Sequence, residues 1–565
     1  MKKVKIVLFN VIISMTVYAQ SPLFIPDYLS GSEIQLTLQE GGVEFYQGFT
    51  TSTIGYNQNI LGPTLILEKG QEVTVDVINK LTEPTTLHWH GLHVSPKNDG
   101  GPHTIINPDQ TWSPRFTVLD AAATYWYHPH LHENTEVQVT SGAAGFIIVR
   151  DDDEAKLDLP RTYGVDDIPI VIQSRAFDSD KQFVSETAGD NTIMCNATVD
   201  AFLDVPAQII RLRLLNGSTE RLYNLGLSND QVFYQIATDG GLLERPASMT
   251  RLILAPGERA EILLDLTNKL GKTVALKSYN SELPSGYYGA ANPSVMPMGN
   301  IAGYSSNSLN GNDFEILDIN VMAANNEAIL SIPTTLVNHI PYSEDDVDMT
   351  RSLTFRPNQM GPNGMLNGPF NINGQSFEID VINQEVLLGN TEVWELRNMT
   401  AVAHPFHIHD VQFYILDING SIPPASLQGR KDVVIVPPMG GTVRIITRFD
   451  DFADKDTPYM YHCHMLSHED DGMMGQFLVL PMTTSENIVK QTKITLSPNP
   501  AVNNIRILGA PESSLQIYDT QGNVVRVINN LIEDHEIDIN NLVQGCYILR
   551  IEGNETVNSF KLMKI

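Results

Sequence analysis

The sequence predicts an all-β protein built from several β-sandwich units. Three observations lead there. Nearly the whole chain alternates apolar and polar residues over short runs broken by Gly, Pro and Asn, with little sustained helical periodicity. An asparagine-anchored pattern recurs three times along it. At 565 residues there is room for about three or four units.

The N-terminus carries Lys2, Lys3 and Lys5, then an apolar run from Ile6 to Val17 that ends in Val17-Tyr18-Ala19. This reads as a signal peptide over residues 1–19, cleaved after Ala19. The run falls short of the roughly 20 apolar residues of a membrane anchor. The expectation is an exported protein. With 66 Asp and Glu against 36 Lys and Arg, the net charge of −30 argues against nucleic acid or anionic membranes as partners. The three cysteines, Cys195, Cys463 and Cys546, are too few for a disulfide framework.

Leu65-Ile66-Leu67 and the run Val73 to Ile78 read as strands joined by a turn at Lys69-Gly70, and Asn79 closes the second. His88 and His90 follow Asn79 by nine and eleven residues, as His407 and His409 follow Asn398. The same offsets from Asn216 reach Leu225 and Leu227. A second match aligns Tyr125-Trp126-Tyr127-His128-Pro129-His130 with Tyr459-Met460-Tyr461-His462-Cys463-His464. Pro129 stands in place of Cys463, and Thr85 in place of His404. Three related units are therefore expected, over 20–160, 161–325 and 345–483, and the middle one is apolar where the outer two carry His-x-His. A polar segment, 323–348, links the second unit to the third. Another linker, 483–493, leads to a small β-rich unit over 494–565.

Ten of the fifteen histidines fall into four groups: His88/His90, His128/His130, His404/His407/His409 and His462/His464/His468. Imidazoles at i and i+2 share one strand face. Burying such pairs is uncompensated desolvation unless a cation lies between them. The stretch His462 to Met474 adds a thiolate and a thioether, a ligand set that favours copper. A structural zinc site needs only about four ligands, fewer than are present. His93, His103, His132, His339 and His535 lie outside the groups and read as structural or surface residues.

The motifs His88-Trp89-His90-Gly91, His128-Pro129-His130, His404-Pro405-Phe406-His407-Ile408-His409 and His462-Cys463-His464 resemble those of three-domain multicopper oxidases. The nearer likeness is to the copper-efflux oxidase, bilirubin oxidase and spore-coat laccase branch, over about residues 30–483. The resemblance implies three cupredoxin-like Greek-key β-sandwich domains and four copper ions. It assigns His404, Cys463, His468 and axial Met473 to a type 1 copper, and His88 and His407 to a type 2 copper. His90, His128 and His464 fall to one type 3 copper, and His130, His409 and His462 to the other. Asp99 and Glu469 match proton-supplying carboxylates. By local sequence alone, Asp99 beside Gly100 is a turn residue and Glu469 a solvated loop charge.

The implied activity couples four one-electron oxidations of a small reducing substrate to reduction of O₂ to two waters. Cuprous oxidases of this branch carry a Met-rich insert. Here only Met296, Met298, Met360 and Met365 are candidates, which favours a laccase-like phenolic donor over a cuprous oxidase for copper tolerance or a bilirubin-type oxidase. A non-catalytic copper-binding or electron-transfer surface protein would need neither the ligand-free middle unit nor the second ligand set. The tail, with Leu496-Ser497-Pro498-Asn499-Pro500, Tyr518-Asp519, Gly522, Gly545-Cys546-Tyr547 and Lys561-Leu562-Met563-Lys564, resembles the C-terminal sorting domain of type IX secretion. That implies passage through the periplasm, contact with the secretion machinery, and a secreted or cell-surface location. With ligands in both outer domains, a monomer suffices.

Overall fold

Each of the three large sandwiches turns a corner on a buried asparagine. Asn79, Asn216 and Asn398 end the strands Glu72–Asn79, Ile209–Asn216 and Thr391–Asn398, and none is exposed. The Asn79 amide donates to the carbonyls of Glu83 and Ile106 and accepts from the Leu81 N–H. Asn216 does the same with Arg221, Leu254 and Ser218. Asn398 does so with Val402, Val436 and Thr400. A side chain carrying both donor and acceptor satisfies backbone groups that the turn would otherwise orphan. This is the physical content of the sequence repeat.

The computed structural model describes residues 20–482 and 494–565, apart from 186, 297–299, 511, 512, 521, 533 and 553–556. The expected signal peptide, the linker 483–493 and Met298 lie outside the described residues. Two compact units divide between Met482 and Thr483.

In the larger unit, the first sandwich pairs a five-stranded sheet, which includes Ala123–His128 and His88–His90, with the sheet of Glu33–Tyr46 and Glu72–Asn79. Alternate residues such as Leu36, Val75, Trp89, Tyr127 and Ile147 fill its core. The second sandwich holds a six-stranded sheet and a larger sheet centred on Asp167–Phe177, Ile209–Asn216 and Arg259–Asp265. Ser21–Pro22 pairs in parallel with its strand Ala201–Pro206. The third sandwich sets the sheet of Met349–Pro357, Thr391–Asn398 and Gly441–Arg448 against that of Met474–Leu480, Asp454–Cys463, His404–Ile408 and Val433–Val436.

Between the second and third sandwiches, residues 323–343 form no strand. Ile329, Ile332, Leu336 and Val337 of this segment pack on the second sandwich, where the imidazole of His339 lies 2.7 Å from the Leu242 carbonyl. The smaller unit has a three-stranded and a four-stranded sheet around Ile505, Ile517, Leu549 and Leu562.

Candidate metal centre

Strand register builds the centre. In the third sandwich Phe406 pairs with Cys463 and His407 with His462. Directly opposed residues share a face, and faces alternate along each strand. His404, Phe406 and Cys463 therefore face one way, and His407, His409 and His462 the other. In the first sandwich the same register sets His88 opposite His128 and buries Trp89 against Tyr127 on the core side.

On one face, Cys463 Sγ lies 3.4 Å from His404 Nδ1 and 3.7 Å from His468 Nδ1. The Phe370 ring stands edge-on to both imidazoles. Met473 is buried beside them in sequence, and its carbonyl accepts from the Cys463 N–H. The other two cysteines, buried Cys195 and partly buried Cys546, are free.

On the other face, eight histidines from the first and third sandwiches converge. His462 Nε2 lies 3.2 Å from His130 Nε2 and 3.4 Å from His409 Nε2. His90 Nδ1 lies 3.4 Å from His128 Nε2 and 3.3 Å from His464 Nε2. His88 stacks on His409, and His407 on His90, each at 3.8 Å. The Nε2 atoms of His88 and His407 are buried without a hydrogen-bond partner. Trp126 stacks on His128 at 4.1 Å.

Outer partners decide which nitrogen faces inward, because an acceptor-only atom fixes the N–H on the side that it meets. His88 Nδ1 meets the Asp99 carbonyl, His407 Nδ1 the Asp432 carbonyl and His128 Nδ1 the Pro129 carbonyl. Asp99 Oδ2 lies 2.9 Å from His409 Nδ1. Glu469 spans His130 Nδ1 at 3.3 Å and His462 Nδ1 at 3.1 Å. His90 is reversed: its Nε2 donates to Asp432 Oδ1 at 3.1 Å, leaving Nδ1 inward. At the sulfur site His404 Nε2 meets the Thr400 hydroxyl at 2.8 Å.

Burial pushes the inward imidazoles of His90, His128, His407 and His409 well below the usual histidine range, and their mutual repulsion adds to it. Burial likewise takes His130, His464 and His468 to about 3. They are neutral ligands in waiting. Burial raises the Cys463 thiol, a shift that a coordinated metal reverses. Burial alone would raise Glu469, yet His130 and His462 hold its carboxyl well below the ordinary range.

All ten grouped histidines and Cys463 thus come together in two sets, with Asp99 and Glu469 against the larger one. Glu469 is 1% exposed and so is no solvated loop charge. Asp99 does end a turn, the short helix Pro96–Asp99 capped by left-handed Gly100, but its carboxylate is buried. The metal-competent groups among the described residues include none of His93, His103, His132, His339 or His535. Thr400, Asp432 and Arg259 were not legible as site residues. The only hint is a charged pair at the mouth of a buried strand, Lys431-Asp432 before Val433–Val436 and Glu258-Arg259 opening Arg259–Asp265.

Multicopper oxidase family models match residues 37–154 and 343–483. The multicopper oxidase mco of Staphylococcus haemolyticus is 36% identical over 454 residues, spanning 79% of this chain and 88% of that protein. The chain belongs to the multicopper oxidase family. The laccase-like multicopper oxidase CueO of Ochrobactrum sp. superposes with a TM-score of 0.70 at 33% identity, covering 81% of this chain and all of that one. Its cupredoxin architecture is that of the three sandwiches. The cell division protein FtsP of Photorhabdus laumondii is also a relative, 30% identical over 472 residues, 82% of this chain and 93% of that protein. A secretion system C-terminal sorting domain matches 495–565, which marks this multicopper oxidase for export. Among the described residues no helix is long and apolar enough to cross a membrane.

Family membership brings copper as the bound metal, and the residues fit it. A thiolate with imidazoles is a soft donor set. The orphaned Nε2 atoms of His88 and His407 are each a buried acceptor that lacks a partner unless a cation meets it.

Proposed function

We propose that this multicopper oxidase is a laccase-like enzyme that oxidises small phenolic donors at His468 and reduces O₂ to water at the eight-histidine set. The carrying observation is Cys463. Its sulfur joins His404 and His468, while its peptide neighbours His462 and His464 belong to the other set. One residue is the whole covalent path between the two. A purely copper-storing protein, or one serving cell division alone, has no use for that link.

His404, Cys463, His468 and Met473 would hold a type 1 copper, and His88 and His407 a type 2 copper. The sets His90/His128/His464 and His130/His409/His462 would hold two type 3 coppers. When bound, copper supplies the one-electron chemistry by which four electrons and four protons convert O₂ into two waters. The chain itself orients the imidazoles through their outer partners, excludes water by burial, and keeps Asp99 and Glu469 where protons are consumed. The three cupredoxin domains are taken as 20–160, 161–325 and 345–483, and the route as signal-peptide export to the periplasm, then release or surface attachment.

The donor site is a cavity of about 270 Å³ lined by Glu220, Tyr288, Leu366, Ser467, His468 and Asp470. An aromatic and an aliphatic wall with carboxylate acceptors suit a phenol, whose O–H becomes acidic on oxidation. The CueO relative is described as oxidising lignin model compounds, in keeping with such donors. Of the methionines that would serve Cu(I), Met360 is exposed and Met365 buried in its own short helix, Pro362–Asn367. The test is O₂ uptake by copper-loaded protein with a phenol, with bilirubin and with Cu(I), in parallel. Turnover with the phenol, lost together with the blue absorbance in Cys463→Ser, is expected. Fully metallated protein that consumes no O₂ with any of the three would refute the oxidase reading.

A further inference from the structure

The second sandwich contributes no histidine to either set, yet its charged side chains reach beneath the larger one. Arg259 opens the strand Arg259–Asp265, and its guanidinium is buried. It grips Asp432 of the third sandwich with both arms, Nη1 to Oδ1 at 2.6 Å and Nη2 to Oδ2 at 2.5 Å. Its Nε donates to the Thr124 carbonyl of the first sandwich, and Nη2 also to the Asp239 carbonyl of its own. One side chain therefore ties all three sandwiches together. Asp432 passes the constraint on. Its Oδ1 accepts from His90 Nε2, and its carbonyl accepts from His407 Nδ1.

Two glycines show how closely the backbone approaches this contact and the neighbouring ligand His464. A Cβ on Gly91, the last residue of His-Trp-His-Gly, would lie 2.5 Å from Asp432 Oδ2 and 2.6 Å from Arg259 Nη2. A Cβ on Gly257, at φ +80°, would lie 2.7 Å from the His464 ring. The second sandwich thus presses its backbone against one ligand and its guanidinium against the support of two others.

We propose that Arg259 is a positioning residue through which the ligand-free sandwich fixes the orientation of His90 and His407. His90 alone of the cluster presents Nδ1 inward, and it does so because an acceptor-only carboxylate holds the proton on Nε2. That carboxylate is itself held in one rotamer by a bidentate guanidinium. Without Arg259 both of those donors vanish, and the Asp432 carboxylate is free to turn away from His90. Losing the direct outer partner of a ligating histidine weakens metal binding about 10–100-fold, and Arg259 acts on that partner, Asp432, from one step further out.

The inference rests on the four-copper reading above, and the experiment separates the two. Copper per chain, blue absorbance and the type 2 electron paramagnetic resonance signal are measured in wild type, Arg259→Met, Arg259→Lys and Arg213→Met. Arg213 is the control: it is equally buried in the second sandwich, but its guanidinium bonds Asp167, Glu261 and Thr124. Arg259→Met is expected to keep the blue absorbance while copper falls below four per chain and the type 2 signal weakens. Arg259→Lys, with charge but no fork, falls between. Arg213→Met keeps its copper. Four coppers and an unchanged type 2 signal in Arg259→Met, or equal copper loss in Arg213→Met, overturn the proposal. So does absence of a blue, folded protein in both Arg259 variants, which assigns the residue to folding. Fewer than four coppers in the wild type sinks the four-copper reading instead.

Discussion

Thr400→Val tests the hydroxyl that meets the His404 imidazole and that also donates within the Asn398 corner. The substitution removes one buried oxygen, 2.8 Å from His404 Nε2, and leaves the shape of the side chain almost unchanged. Threonine and histidine are both fully buried, so water cannot replace that oxygen. If the ring keeps its proton on Nε2, a buried N–H is left without an acceptor, at a cost of about 1–3 kcal/mol. If the proton moves instead to Nδ1, it occupies the nitrogen 3.4 Å from Cys463 Sγ, the atom that copper needs. Losing an outer partner weakens metal binding about 10–100-fold, or about 1.4–2.7 kcal/mol, so the two routes agree in size. Titration of apo-protein with copper against a competing chelator, followed by the blue absorbance, measures the shift. Thr400→Ser, which keeps the oxygen, should restore binding. Valine and serine variants that both bind as tightly as wild type would show that the hydroxyl does not set the ligand.

Glu469→Gln leaves one acceptor oxygen where His130 and His462 now share two, and removes a carboxyl able to carry a proton. Aerobic turnover should fall about 10²-fold or more, while anaerobic bleaching of the blue band by the phenol stays fast. Turnover near the wild-type rate would exclude the proton role. For Asp167, burial opposes ionisation, but the guanidinia of Arg213 and Arg211 outweigh it and hold the carboxyl at about 2. Being depressed from 3.8, it contributes stability above the unfolded value that is lost as pH falls from about 4 through about 2. The shift corresponds to about 2–3 kcal/mol. Urea unfolding of the apo-protein should therefore show a shallower acid slope between pH 4 and 2 for Asp167→Asn than for wild type, and equal slopes would discount this carboxylate.

Sequence carried most of the ligand set because ligands obey short periods. His-x-His puts two imidazoles on one strand face, and Cys463 between two histidines divides the faces whatever else the fold does. The three asparagines were visible as a spacing, though their bonds to Glu83, Arg221 and Val402 were not. What stayed hidden depends on long-range register. Arg259 and Asp432 are 173 positions apart, and nothing local marks either as the other's partner. Glu469 reads locally as a solvated charge, and only the packing of its short helix, Leu466–Asp470, turns it toward His130. The middle sandwich, apolar at Leu225 and Leu227, looked like a spacer, because its contribution lies in a strand entrance far from the repeat.

The asparagine corners also bear on the order of assembly. Each is closed by amide hydrogen bonds within the protein, so closing the corner takes no metal. The middle sandwich makes the point, since Leu225 and Leu227 lie buried on such a strand with no ligand at all. What copper completes is therefore the packing of the imidazoles, and the corners that aim their strands are closed by the chain alone.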